Sequence, residues 1–206
     1  MSLASLTAAF PITETVTSDS ADRNAPEPLA DLFRRLAGTT LAHGFLRFHT
    51  PESAAESAAS CARLIDGFEG SFHPFAFDWL GREVALDVRA GETRRLVIVV
   101  DPGGGEYLGT ECDLDEWHEV VAGEDDALAF SFYEEWRAAD PSAGALRRDQ
   151  AVGYKVPLFL GGEDEVENLH LVDREVYFEL CTQAALQVRD LPPGTPISEV
   201  TSAFGQ

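Results

Sequence analysis

The stretch that decides the fold runs from Val152 to Gln183 and reads VGYKVPLFLGGEDEVENLHLVDREVYFELCTQ. Its apolar run, Val156 to Leu160, ends at a Gly161–Gly162 pair, and an acidic turn and a second short apolar segment follow. Asp173 then stands where the N-cap of a helix is expected. The residues that recur at the four-residue spacing of one helix face are Val176, Leu180 and Ala184. A strand, a turn and a capped helix in so few residues indicate the closing segment of a domain.

Upstream of this stretch, apolar spacing predicts further helices and strands. The predicted helices cover residues 29–38, 50–65, 113–123 and 124–138, the last with a buried stripe of Leu128, Phe132 and Trp136. The predicted strands cover residues 44–49, 72–79, 83–88 and 95–100, with a fourth strand of the meander starting at Glu106. This order predicts an α+β fold with a mostly antiparallel sheet packed against several helices.

The ends of the chain differ in composition from its middle. Residues 13–28 are rich in Ser, Thr, Asp and Pro, so we expect residues 1–28 to form a flexible arm or linker. Residues 29–195 are predicted to be a single domain, and residues 196–206 a frayed tail. The apolar Leu3, Leu6 and Phe10 give only a weak signal for a docking segment.

The composition excludes several classes of protein. The chain has 206 residues, of which 45% are hydrophobic and 13 are Phe, enough apolar material for a core. No apolar run approaches the roughly 18 residues that cross a bilayer, and the first residues lack the basic start of a signal peptide. Cys61, Cys112 and Cys181 are too widely spaced for a disulfide framework. We therefore expect a cytoplasmic protein with reduced thiols and no membrane partner.

The net charge is the strongest signal in the composition. Thirty-six acids against 15 bases give a formal net charge of −21. A surface this negative repels nucleic acid and anionic lipid, and it accelerates encounters with a basic partner. High negative charge also favours solubility in general or suits a salt-rich medium, so charge alone does not name a partner.

Two loops have compositions that suggest a ligand-binding site, but both are better explained as turns. The glycine run of residues 101–105 lacks the Gly-Lys-Ser/Thr of a phosphate loop, so it is interpreted as a hairpin turn. The loop 161–168 is rich in oxygen atoms but lacks the pattern of a calcium loop. Asn168 is expected to bond to backbone groups within that turn.

Metal and acid–base chemistry also lack a convincing pattern. The densest group of metal-ligand types is Cys112, Asp113, Asp115 and His118. Asp113 is expected instead to cap a helix, with Glu116 completing a capping box, and no second ligand cluster stands elsewhere in the sequence. No spacing pairs a histidine with a carboxylate; the histidines are His43, His49, His73, His118 and His170. We predict no enzymatic activity, no metal and no cofactor.

Acidic residues are concentrated between Asp101 and Asp140, where 13 acids accompany a single base, Arg137. In the two predicted helices of this tract the acids flank residues that we expect to be buried, such as Trp117 and Leu128. Such charge sets the rate of association with a basic protein and apolar anchors set the affinity, although a merely solvated face has the same composition. The predicted partner-binding residues are Asp113, Asp115, Glu116, Glu119, Glu124, Asp125 and Asp126.

The closing stretch also resembles a known bacterial family. The segments that carry the resemblance are Val152–Gly162, Glu167–Leu169, Asp173, Val176–Tyr177 and Gln183, with Phe77–Arg82 and Asp101–Gly103 upstream. They are similar to SUKH-type immunity proteins related to the immunity partners of type VI secretion DNase toxins. Phe178 stands where that family often has Trp, and residues 1–28 carry no part of the resemblance.

The resemblance implies an α+β fold and a non-catalytic role. A protein of this kind binds a cognate toxin in the cytoplasm of the producing cell and blocks its active site. Nuclease toxins bind nucleic acid and tend to be basic, which agrees with an acidic inhibitor. The alternative is an intracellular regulatory or scaffold module of the same fold without a toxin partner, and a distant third is an enzyme that uses Asp115 and His118. The resemblance marks no interface residue, and the sequence does not identify the toxin or the oligomeric state.

Overall fold

The computed structural model describes residues 3–17, 29–89, 95–124, 126–142 and 144–191. The strands are Ile12–Thr15 (β1), Thr39–Leu41 (β2), Leu46–Phe48 (β3), Phe72–Asp78 (β4), Glu83–Asp87 (β5), Leu96–Asp101 (β6), Glu106–Asp113 (β7), Gln150–Tyr154 (β8) and Leu169–Asp173 (β9). The helices are Ala4–Ala9 (α1), Leu29–Leu36 (α2), Pro51–Leu64 (α3), Leu114–Gly123 (α4), Phe130–Ala139 (α5) and Arg174–Val188 (α6). Strands β1 to β7 form one antiparallel sheet in chain order, and β8 pairs with β9 in a separate hairpin.

The sheet lies between two layers of helices, and the side chains on both faces of its central strands are buried. On β5, Val84 and Leu86 point to the first face, where they pack with core residues of α1, α2, α4 and α5. Ala85 points to the second face and packs with residues of α3 and α6. The predicted α+β fold with a mostly antiparallel sheet is therefore confirmed.

The helix starts follow the capping signals in the sequence. Thr50 accepts a hydrogen bond from the Ser53 backbone N–H at 3.3 Å, and Pro51 occupies the first turn of α3. Asp173 accepts one from the Val176 backbone N–H at 3.0 Å at the start of α6. These local signals predicted both helix boundaries because a cap is satisfied by residues only three positions away.

The closing segment contains most of the β8–β9 hairpin and of α6, and hydrogen bonds connect the hairpin to the sheet and to α6. The Val152 backbone N–H donates to the Trp79 carbonyl at 2.8 Å, and the Tyr154 backbone N–H donates to the Tyr177 hydroxyl at 3.2 Å. A Cβ atom at Gly153 would come within 2.6 Å of the Tyr177 ring, so this close approach of hairpin and helix requires glycine. The apolar run after Tyr154 is not a strand, since a 3-10 turn occupies residues 158–160.

The prediction of a flexible N-terminal arm is wrong for residues 3–17. The segment forms α1 and β1, and Leu3, Leu6 and Phe10 are 3%, 0% and 7% exposed. Phe10 packs against Phe45 and Phe130 with ring centroids 4.9 and 5.2 Å apart. Burial of three apolar side chains outweighs the polar composition around them. Residues 18–28 and the predicted tail, 196–206, lie outside the described residues.

Two predicted helix faces are only partly correct, since Trp136 of the first and Ala184 of the second are buried. Helix α5 begins only at Phe130, because Leu128 and Ala129 adopt left-handed backbone angles, and its buried residues are Tyr133 and Trp136. On α6, Val176 is 56% exposed. Besides Ala184, the buried residues of α6 include Tyr177, Phe178, Cys181 and Ala185, so its buried face is wider than a single four-residue spacing.

Candidate functional site: an acidic surface and a buried charged row

Most of the predicted partner-binding residues lie on or beside α4. Asp113 caps this helix and accepts hydrogen bonds from the backbone N–H groups of Asp115 and Glu116 at 3.1 and 3.0 Å. The exposed acids along α4 and just after it are Asp115, Glu116, Glu119 and Glu124. The structure therefore brings these acids together on one helix, whereas Asp125 lies outside the described residues.

The acids of this surface differ in what holds them. Glu116 completes the capping box through its hydrogen bond from the Asp113 backbone N–H at 3.0 Å. Asp126 accepts hydrogen bonds from the Ser131 hydroxyl and backbone N–H, which lower the pKa of its carboxyl group. Glu124 follows the last turn of α4, where the helix dipole disfavours negative charge, and Glu119 lies in the middle of the helix. Helix stability therefore does not explain these last two acids.

The apolar side chains that these acids flank do not face solvent. Trp117 is 2% exposed and packs edge-on against Phe75, with ring centroids 5.3 Å apart. Leu128 is half-buried against the core. Trp117 is therefore buried, as the sequence predicts, and its apolar surface is used by the core and does not anchor a partner.

A small recess beside α5 supplies apolar surface instead. Its volume is about 220 Å³, and its lining includes Ala42, Phe130 and Tyr133, with Glu134 and Arg137 among the polar residues. The Tyr133 hydroxyl lies 3.2 Å from the carbonyl oxygen of Ala42, to which it donates. Ala42 has a positive φ of 44°, and the two residues that precede Phe130 also have positive φ angles. Strained backbone held by such bonds gives this recess a fixed shape.

A row of charged side chains crosses the second face of the sheet. Arg47 on β3 lies opposite Phe77 on β4, which in turn lies opposite Glu83 on β5. Glu83 is 1% exposed, and one of its carboxylate oxygens accepts a hydrogen bond from Arg174 Nη1 at 2.6 Å. The other oxygen lies 2.8 Å from His49 Nε2. This row does not follow from the sequence, although Arg47 and His49 alternate within an otherwise apolar strand.

The guanidinium of Arg47 ties the sheet to the segment before the hairpin. Its Nη1 donates to the carbonyl oxygens of Arg147 and Gln150, and its Nη2 donates to the carbonyl oxygen of Asp78 at 2.6 Å. Burial, together with the nearby Arg174 charge, lowers the pKa of Arg47 to about 9. The three guanidinium groups that lie 4.4 to 5.5 Å from the Phe77 ring centroid are those of Arg47, Arg148 and Arg174.

Burial and pairing set the protonation of the His49–Glu83 pair. Burial lowers the pKa of His49 and outweighs the attraction of Glu83. Burial alone would raise the pKa of Glu83, but His49 and Arg174 together outweigh it and lower that pKa. A histidine–carboxylate pair can act as a general base, yet here His49 Nδ1 also lies 2.9 Å from the Ser53 hydroxyl and the ring is 0% exposed. The pair therefore orders the interior of the protein.

The remaining candidate ligand residues do not come together as a site, or they have structural roles, in the described part of the chain. Within the described ranges, no three His, Cys, Asp or Glu side chains are arranged to hold a metal ion. His118 is 1% exposed and packs in the interior, away from the capping carboxylate of Asp113. Asn168 bonds through its side chain to the backbone of Val156 and to the Glu163 carbonyl, as expected for a turn. Among the helices of the described residues, none is long and apolar enough to span a membrane.

Comparison with known proteins finds a matching family model and solved structures of similar fold. The model of the family described as "T6SS immunity protein Tdi1, C-terminal" matches residues 125–185. No protein of the curated set matches the chain. The solved structure of Atu4351 from Agrobacterium tumefaciens superposes with a TM-score of 0.64 at 18% identity, covering 89% of each chain. At that identity the similarity shows the fold alone.

The matched segment begins at the end of the acidic surface and includes α5, the β8–β9 hairpin and most of α6. It also contains the closing stretch on which the sequence resemblance rested. The similarity of this chain to type VI secretion immunity proteins is therefore confirmed over residues 125–185, which match the C-terminal family of Tdi1.

Proposed function

We propose that this chain is a type VI secretion immunity protein that binds and neutralises a cognate secreted toxin in the cytoplasm, without catalysing a reaction. The match of residues 125–185 to the Tdi1 C-terminal family carries the proposal. The toxin belongs to the nuclease class. A nuclease surface that binds nucleic acid is basic, and a chain with a formal net charge of −21 complements it.

The toxin contacts the acidic surface formed by α4 and the residues that follow it. Asp115, Glu119 and Glu124 are exposed there, and no described cation lies within salt-bridge distance of their carboxylates. These acids attract the basic toxin over a distance and occupy the positions that phosphate groups take in its substrate complex. The apolar recess beside α5 accommodates a side chain of the toxin and adds affinity at short range.

The proposal is tested by co-expressing the chain with the nuclease-type toxin of the same strain. We expect wild-type protein to restore growth and to inhibit the purified nuclease domain at a molar ratio near one. A triple variant, Asp115→Lys with Glu119→Lys and Glu124→Lys, should lower the association rate constant about tenfold or more at low salt and flatten its salt dependence. The matched control is Glu163→Lys with Glu165→Lys and Glu167→Lys, which reverses three acids in the 161–168 loop.

The outcomes separate the two parts of the proposal. Equal association rates for the triple variant and its control would place the interface elsewhere while leaving the immunity role intact. Wild-type protein that neither binds the toxin nor protects the cells would overturn the immunity role itself.

A further inference from the structure

The large sheet ends at β7, whose outer edge is exposed. Strand β7 pairs with β6 on one side, and no other strand of the described residues pairs with its outer side. The residues from Glu106 to Gly109 are all exposed and pair with β6 in unbroken register, and the irregularity of this strand pair lies beyond them. This part of β7 therefore presents a regular, open run of backbone.

The hydrogen bonds of the sheet show which backbone groups of β7 point outward. The Thr110 hydroxyl on β7 donates to the Val97 carbonyl oxygen at 2.7 Å, so every second residue of β6, counted from Val97, directs its backbone to β7. Leu108 pairs with one of these residues and therefore bonds to β6. The N–H and C=O groups of its neighbours, Tyr107 and Gly109, point away from the sheet, and no described backbone group bonds to them.

The side chains beside these open backbone groups are apolar or absent. Tyr107 and Leu108 are 38% and 45% exposed, and as successive strand residues they point to opposite faces of the sheet. The Tyr107 ring lies 4.9 Å from the Phe68 ring, centroid to centroid. No heavy atom lies within 4 Å of the position that a Cβ atom would take on Gly109. An added strand would therefore cover apolar surface as well as satisfy backbone groups.

The opposite end of the sheet does not offer an equivalent edge. Strand β1 has only four residues, and its register with β2 is interrupted between Ile12 and Glu14. An extended segment that pairs with β1 would meet this irregularity within its first residues. Strand β7 is therefore the better template for an additional strand.

Charge decides what kind of strand fits this edge. The open run is flanked by Glu106 and Glu111, both exposed. A second copy of this chain paired through β7 would place the same acids close to them, and two chains of formal net charge −21 repel each other. A strand that carries lysine or arginine would instead place opposite charges beside both glutamates. The edge therefore favours a basic partner over a second copy.

We infer that the open edge of β7 binds an extended strand of a basic protein partner, which pairs with the outward backbone groups of Tyr107 and Gly109. Identification of that partner with the toxin rests on the proposed function. Strand β7 ends at Asp113, the residue that caps α4, so this edge adjoins the acidic surface. A toxin bound to the acidic surface thereby gains backbone pairing in addition to charge attraction.

The inference is tested on the full chain with a defined probe, the blocked peptide acetyl-Lys-Val-Thr-Val-Lys-amide. Gly109→Pro removes the outward N–H group, whereas the matched control Gly109→Ala keeps it, and the open space at this position accommodates either side chain. Titration should give saturable chemical-shift changes at the amides of Tyr107 and Gly109 in the wild type. Gly109→Ala should bind like wild type, and Gly109→Pro about tenfold more weakly, because a backbone hydrogen bond is lost.

A second probe tests backbone pairing without any change to the protein. In this peptide the three central residues are N-methylated, which keeps the charges and side chains but removes the donors of both edges. It should bind about tenfold more weakly than the parent peptide. Equal affinity of the two peptides, or equal affinity of Gly109→Pro and Gly109→Ala, would overturn backbone pairing at this edge.

Further outcomes test the choice of occupant. No saturable shift with the lysine peptide, or equal binding of a peptide with glutamate in place of lysine, would overturn the basic strand. A dimer of the wild-type chain that sedimentation detects and Gly109→Pro abolishes would assign the edge to a second copy and overturn it as well.

Amide hydrogen exchange in the toxin complex separates this inference from the proposed function. Exchange at Tyr107 and Gly109 should slow about tenfold or more when the toxin binds, since both amides lie on the open edge. A complex that protects cells but leaves both amides unprotected defeats this inference alone. Peptide binding without any toxin interaction defeats the proposed function alone.

Discussion

The same types of charged residue serve opposite purposes in the charged row and on the acidic surface. In the row, Glu83 contacts three polar side chains and Arg47 donates to three carbonyl groups, all within the protein. On the surface, Glu119 and Glu124 are exposed, and Glu124 lies where the helix dipole disfavours negative charge. The comparison indicates that interior charge is committed to the fold, whereas surface charge is available to a partner.

The physical difference is desolvation. A buried charge has lost its water, so removal of its partner leaves an uncompensated charge in a medium of low polarity. An exposed charge keeps its water, and salt screens its interactions with neighbours. The two regions should therefore respond to substitution by different amounts and in different measurements.

The largest expected effect is at Glu83. Glu83→Gln keeps the size of the side chain but leaves the Arg174 guanidinium without its charge partner, so the free energy of unfolding should fall by about 3 kcal/mol or more. Urea unfolding at neutral pH measures this loss. The control Glu135→Gln, at an exposed position of α5, should stay within about 0.5 kcal/mol of wild type. Similar losses for the two variants would abolish the distinction between row and surface.

A second, smaller effect concerns His118, which belongs to the acidic helix but faces the core. Burial lowers its pKa to about 4, from the usual value of about 6.5 in an unfolded chain. As the pH falls below 6.5 the unfolded state takes up a proton that the folded state refuses, so stability is lost between pH 6.5 and 4. At pH 5 the loss from this residue should be about 2 kcal/mol relative to neutral pH.

The variant His118→Leu removes this titration. Its unfolding free energy should fall less than that of wild type between pH 7.5 and pH 5, although the His49–Glu83 pair still contributes in the same direction because both pKa values are lowered. Urea unfolding at the two pH values measures the difference. An unchanged pH dependence in the variant would mean that His118 is not the group that titrates.

The sequence predicted those parts of the molecule that depend on neighbouring residues. The caps at Thr50, Asp113 and Asp173 were correct because each is satisfied within one helical turn. The meander was found because two-residue alternation and short turns specify hairpins locally. The glycine turn after Asp101 was also correct, since Asp101 accepts a hydrogen bond from the Gly104 backbone N–H at 3.0 Å.

The sequence did not predict contacts between distant segments. Arg47 meets the carbonyl of Arg147 across 100 positions, and no local pattern carries that pairing. The three buried residues of the N-terminal segment were missed for the same reason, because their partners include Phe45 and Phe130. On the acidic surface the positions of the acids on α4 and the burial of Trp117 followed from helix periodicity, whereas the packing of Trp117 against Phe75 in β4 did not.

The smallest expected effect distinguishes two acids of the acidic surface, Asp113 and Glu119. Asp113 caps α4, so Asp113→Ala should lower the free energy of unfolding by about 1 kcal/mol. Glu119→Ala, on the same helix, removes an exposed acid from the middle of the helix, and it should leave stability within about 0.5 kcal/mol of wild type. If the acidic surface binds a basic toxin, Glu119→Ala should lower the association rate more than Asp113→Ala. Glu119 faces solvent, whereas Asp113 accepts hydrogen bonds from backbone N–H groups. Paired unfolding and association-rate measurements on the two variants would therefore separate the acid that maintains the helix from the acid that serves the partner, and a Glu119 variant with the larger stability loss would contradict this division.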